Sequence, residues 1–118
     1  MSSSVPVKPS VSIETLERLD IRVGTILSVE EIPGSRKLVQ LTVDFGDHTR
    51  TILSGMKGER ENLQTLVGIQ TLFVINLEPR KMAGRTSEGM LLDIGYADGI
   101  PPALAIPERP IPNGSRAG

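Results

Sequence analysis

Apolar and polar positions alternate with a period of two over most of this chain, and only near its start does the spacing widen to three. Ile13, Leu16 and Leu19 recur at threefold spacing behind Ser12, a residue type that caps helix N-termini, with Glu14 and Glu17 placed early, where a helix dipole favours acids. A helix this short is marginal alone, so its apolar stripe must dock on the core or on a partner subunit. From Ile21 the period becomes two: Ile21, Val23, Thr25, Leu27 and Val29 face one way, and Arg22, Gly24, Ile26, Ser28 and Glu30 the other. Gly24 inside this pattern predicts a bulge or bend. After the turn Pro33-Gly34-Ser35, Val39, Leu41, Val43 and Phe45 alternate with Leu38, Gln40, Thr42 and Asp44, the signature of a half-buried strand. Gly46-Asp47 turns into a third strand from His48 to Leu53. Ser54 to Gly58 breaks the pattern, and Glu59 to Leu66 predicts a short helix with Leu63 and Leu66 inward, stopped by Gly68. Ile69 to Ile75 and Gly89 to Ile94 are the fourth and fifth strands. Beyond Gly95 the prolines 101, 102, 107, 110 and 112 limit the chain to edge strand and extended segment.

Three strands, a short helix and two strands follow the order of the five-stranded OB fold, an all-β Greek-key barrel whose helix lies between strands three and four. The expected organisation is a flexible Ser- and Pro-rich lead-in at 1–11 and one OB domain over 12–118, with a short N-terminal helix and an extended C-terminal segment.

Composition narrows the chemistry. At 118 residues, 38% hydrophobic and 23% charged, the chain has the length and balance of one globular domain. It has no cysteine and one histidine, His48, so thiolate sites and multi-histidine metal centres are excluded. His48 sits in a turn with no partner at a catalytic spacing and reads as a surface residue. No nucleophile–base constellation or phosphate-cradling glycine loop stands out, so a non-enzyme with no cofactor is expected. The net charge of −1 gives no global attraction to nucleic acid, although local patches remain open to it. Three aromatics, Phe45, Phe73 and Tyr96, are too few for a base-stacking platform, which favours recognition of backbone and shape. There is no apolar run long enough to span a membrane and no export signal, so the cytoplasm is the expected location.

The stretch from Asn76 to Met90 concentrates the candidate chemistry. Arg80, Lys81 and Arg85 lie within six positions among a proline and glycines, a loop that holds cations at fixed spacing for phosphate. Asn76, at the end of an apolar strand, either caps the turn or contacts a ribose or base edge. Ser87 is a candidate phosphate or 2′-hydroxyl contact, and Met90 an exposed neighbour or a core residue. Ser54 and Lys57 form a second polar loop, and Arg36 and Lys37 a cationic pair in the turn after the first strand. In an OB barrel the loops joining strands one–two and four–five line one groove, so Arg36, Lys37, Arg80, Lys81 and Arg85 are expected to converge.

Several segments together resemble the tRNA-binding domain family: Leu19-Asp20-Ile21-Arg22-Val23-Gly24-Thr25-Ile26, Val43-Asp44-Phe45-Gly46, Leu53-Ser54-Gly55, Leu66-Val67-Gly68, Asn76-Leu77-Glu78-Pro79-Arg80-Lys81-Met82-Ala83-Gly84 and Ser87-Glu88-Gly89-Met90-Leu91-Leu92. That family includes the C-terminal extension of methionyl-tRNA synthetases and free-standing dimeric proteins; the CsaA-type export chaperones are a similar branch. The resemblance implies an OB fold, recognition of structured tRNA, and a homodimer formed through the N-terminal helix and C-terminal segment. Further partners it implies are an aminoacyl-tRNA synthetase or, for a CsaA-type role, an unfolded polypeptide. Met56, Met82 and Met90 suit that chaperone alternative, since thioethers adapt to varied apolar surfaces. The chain departs from the family at Ile32-Pro33-Gly34-Ser35-Arg36-Lys37-Leu38, where only Lys37-Leu38 match, and at Glu78, where a cation is common.

Overall fold

The computed structural model describes residues 5–118; the first four residues of the expected lead-in lie outside it. A short helix, α1 (Ile13–Glu17), precedes nine strands: β1 (Ile21–Glu31), β2 (Val39–Asp44), β3 (Thr49–Ser54), β4 (Gln70–Val74), β5 (Arg80–Met82), β6 (Arg85–Ser87), β7 (Met90–Leu91), β8 (Asp93–Ile94) and β9 (Ala103–Leu104). Five of them form one antiparallel sheet in the order β3-β2-β1-β4-β7. The sheet curls until its two ends meet. Glu88 N–H donates to the Thr51 carbonyl at 2.8 Å, Thr51 N–H to Glu88 Oε1 at 2.9 Å, and Leu53 N–H to Ser87 Oγ at 2.9 Å. Side-chain oxygens thus satisfy two edge amides that a strand ladder would otherwise have to pair.

The alternation of β2 holds residue for residue: Val39, Leu41 and Val43, with Phe45 just beyond, are at most 1% exposed. They pack with Ile26, Val29, Ile52, Met56, Leu66, Phe73, Ile75 and Leu91 in one core, where Phe45 and Phe73 meet edge to face at 5.5 Å. In β1 the expected phase fails. Ile26 and Val29 are both buried while Leu27 is exposed, because a bulge between Ile26 and Ser28 shifts the register by one residue. The bulge is at Leu27 and not at Gly24, whose missing side chain serves another purpose: a Cβ there would stand 2.5 Å from Val43 Cγ1 and 2.8 Å from Phe45 Cε1.

The predicted helix between strands three and four is one 3-10 turn, Leu63–Leu66, capped by the Asn62 side chain and burying Leu66. The predicted fifth strand is split: Met90–Leu91 pairs with β4, whereas Asp93–Ile94 pairs with β9. The proline-rich end runs as an edge strap. Val23 N–H donates to Ser115 O, Gly114 N–H to Val23 O and Ala117 N–H to Ile21 O, and the Gln70 amide holds both backbone groups of Ile111. Asn113 Oδ1 accepts from Thr25 Oγ1 and Gln70 Nε2. Where β1 begins, Arg22 grips Asp20 with two bonds of 3.0 Å and Arg116 of the strap adds a third at 3.3 Å; the Arg22 hydrogen bond chiefly holds the Asp20 carboxyl below its usual range. Among the described residues no helix is long and apolar enough to cross a membrane.

Candidate nucleic-acid interface

The stretch expected to be a charged loop is a hairpin. β5 and β6 pair antiparallel with Arg80 opposite Ser87, Lys81 opposite Thr86 and Met82 opposite Arg85. The two residues between them, Ala83 and Gly84, have φ of 51° and 77°. Positive φ at both central positions is the requirement of a type I′ turn, whose twist matches that of the strands it joins. This arm therefore has a defined backbone. Residues opposite one another share a face, so Arg80, Met82, Arg85 and Ser87 lie on one side and Lys81 and Thr86 on the other.

The first of these sides turns toward the barrel. Ser87 is 4% exposed; its hydroxyl accepts from Leu53 N–H and donates to Gly89 O at 2.9 Å. With its donor and one acceptor position engaged, Ser87, a candidate ligand contact, latches the arm to β3. Arg85, half-buried, donates to Gln40 Oε1 of β2 at 2.8 Å. Arg80 and Lys81 are exposed.

The second cationic turn reaches the same end of β2. Arg36 and Lys37 are exposed just before Val39 begins the strand. Lys57 is spent on them: its Nζ donates to Ser35 O at 2.8 Å and its backbone N–H to Lys37 O at 2.9 Å. Ser54 stands opposite Val39, one position from Gln40. The β1–β2 turn, the loop after β3 and the arm therefore meet over the first residues of β2. None of Arg36, Lys37, Lys57, Arg80, Lys81 and Arg85 forms an ion pair among the described residues. Glu30, opposite Gln40 on β1, and Glu78 temper the local field.

Two candidates stand apart. The Asn76 amide joins the arm's first foot to the end of the helical segment: its Oδ1 accepts from Asp20 N–H and its Nδ2 donates to Arg18 O, each at 2.7 Å. Both bonds run to the junction of α1 and β1, outside the turn that Asn76 itself begins. Met90, 44% exposed, flanks the second foot opposite Val74. Of the other methionines, Met56 lies in the core at 2% exposure, which removes it from any adaptable surface.

Sequence reasoning passed over Gln40, Thr51 and Glu88, which mount the arm, and assigned Arg50 no role. A signal for Arg50 was present. It shares its strand phase with Ile52 and stands opposite Val43, so a charge falls on the core-facing side and must be satisfied internally. His48, expected at the surface, is partly exposed and stacks on Phe45 at 5.6 Å.

A curled five-stranded barrel with cationic loops gathered at one end of β2 defines an OB-type binding module. The pattern of the putative tRNA binding domain matches residues 21–116, and the chain belongs to that family. It is 43% identical over 106 residues to the methionine–tRNA ligase of Methanococcus maripaludis, covering 90% of this chain and 16% of that protein. It is 40% identical over 110 residues to the methionine–tRNA ligase of Bacteroides fragilis, covering 93% and 16%. The chain thus spans 16% of the length of these relatives. Among solved structures it resembles a MetRS-related protein from Pyrococcus horikoshii, with TM-score 0.86, 31% identity and 94% of this chain against 100% of that one. It also resembles the chaperone CsaA from Bacillus anthracis, with TM-score 0.78, 29% identity, and 93% and 100% covered.

Proposed function

We propose that this chain is a non-catalytic, cytoplasmic tRNA-binding protein that recognises folded tRNA by shape and phosphate contacts. The observation that carries this is the arm: a hairpin with a fixed turn, latched to β3 and β2, holding Arg80 and Lys81 exposed beside the Arg36–Lys37 turn. Cations on a preorganised backbone lose little freedom on meeting phosphate. Arg36, Lys37, Arg80 and Lys81 are the primary contacts, with Arg85 and Ser54 beside them. Lys57 and Ser87 hold the loops in place, and Asn76 and Met90 border the arm's feet.

The protein acts as a homodimer. Val11, Ile13, Leu16 and Leu19 are 71%, 64%, 52% and 44% exposed, and α1 buries none of its residues, so among the described residues nothing covers the stripe. Arg116 lines both the hollow beside α1 and the apolar hollow bounded by Leu72, Ile94, Leu104 and Ile106, making the two one continuous face with the strap. A second copy on this face would present two arms to one RNA, and tethering would raise affinity beyond that of a single patch. Association with a synthetase is a further expectation of the same reading.

The likeness to a chaperone CsaA, together with the exposed stripe, favours a second reading in which unfolded polypeptide is the ligand. Competition decides between them. Labelled folded tRNA should bind and resist displacement by an excess of unfolded polypeptide; efficient displacement, or solubilisation of polypeptide unaffected by tRNA, would establish the chaperone reading instead.

A further inference from the structure

One guanidinium ties the arm to the barrel without belonging to the binding surface. Arg50 stays charged wherever it lies, so its donors need partners at its half-buried position. A single terminal nitrogen donates to Ile75 O at 2.8 Å and to Glu88 O at 3.0 Å. Ile75 is the residue before the arm's first foot and Glu88 the residue after β6, so this nitrogen pins both feet together. The Nε of Arg50 lies 3.0 Å from His48 Nε2, and His48 Nδ1 lies 2.6 Å from Asp47 Oδ1. Arginine only donates, so Nε2 must accept. In this geometry Nδ1 carries a proton and donates it to Asp47. Phe45, stacked on the imidazole with 25° between the planes, fixes the ring's tilt.

The geometry points to Arg50 as a positioning residue for the tRNA-binding arm and to His48 as the group that orients Arg50; this rests on the tRNA-binding reading above. Asp47, bonded at Nδ1, turns the ring so that Nε2 meets the Arg50 Nε. With that acceptor removed, one guanidinium donor loses its partner and the grip of the same guanidinium on the two feet loses its orientation.

The test measures tRNA affinity at constant salt and pH for wild type, His48→Gln, His48→Leu and Arg50→Lys, with amide hydrogen exchange of residues 80–87 in the free proteins. His48→Gln, whose side-chain oxygen still accepts from Arg50, should keep wild-type arm exchange and affinity, whereas His48→Leu, which cannot accept, should speed arm exchange and lower affinity by about fivefold or more. Arg50→Lys, with fewer donors to span the feet, should speed exchange in the arm. Arm exchange unchanged in Arg50→Lys, or His48→Leu no different from His48→Gln, would overturn the inference. If Arg50→Lys fails to fold, the comparison of the two His48 variants still decides. Faster arm exchange in Arg50→Lys with no change in tRNA affinity would leave the clamp standing and overturn the binding role of the arm.

Discussion

The β5–β6 arm and the face around α1 are built from opposite materials. The arm is held by polar atoms, Ser87 to Leu53, Arg85 to Gln40 and Arg50 to both of its feet, and it leaves the cations Arg80 and Lys81 exposed. The helix is held by little, two bonds from Asn76 at its exit, and what it leaves exposed is apolar. Polar latches fix position well but contribute only about 1 kcal/mol each, and they suit a surface that must be complementary to a rigid, charged ligand. An apolar stripe specifies little by itself and gains mainly from being covered. The two regions therefore do different work. In the proposed function one reads a ligand, and the other brings a second copy alongside.

The largest effect should come from charging the apolar side. Leu16→Glu together with Leu19→Glu should convert a dimer to a monomer in sedimentation equilibrium and lower tRNA affinity by about tenfold to a hundredfold through lost tethering, while leaving amide exchange in the arm unchanged. A dimer that persists would move the interface elsewhere. On the polar side, Ser87→Ala leaves the Leu53 N–H unpaired under the arm, at about 1–3 kcal/mol. A drop in Tm of about 5–10 °C is expected, with the dimer intact; a Tm within error of wild type would deny the latch. The smallest change sharpens the arm. Ala83 sits at φ 51°, where a side chain with Cβ is strained and asparagine is tolerated. Ala83→Asn should stabilise by about 0.5–1 kcal/mol, raising Tm by a few degrees and slowing exchange in residues 80–87.

How much of this was legible in the sequence differs between the same two regions. The core was readable where alternation is unbroken, as in β2, because a strand buried on one face must alternate. It was misread in β1, since a one-residue bulge at Leu27 puts Ile26 and Val29 on the same face and carries no residue signature of its own. The cations of the arm were readable as composition, but its hairpin was not. Its strands are three residues each, and its turn is Ala83-Gly84, lacking the asparagine or aspartate that usually announces a type I′ turn. The mounting was hidden for a different reason. Ser87 to Leu53, Glu88 to Thr51 and Arg50 to Ile75 join residues far apart in the chain, and only closure of the barrel brings them together.

In the proposed function the arm meets the phosphates of tRNA. The most direct measurement is the salt dependence of tRNA affinity for wild type and Arg80→Ala/Lys81→Ala, titrated across several salt concentrations. Loss of two phosphate contacts should weaken binding at low salt and reduce the slope of log affinity against log salt by about two. An unchanged affinity and an unchanged slope would contradict the assignment.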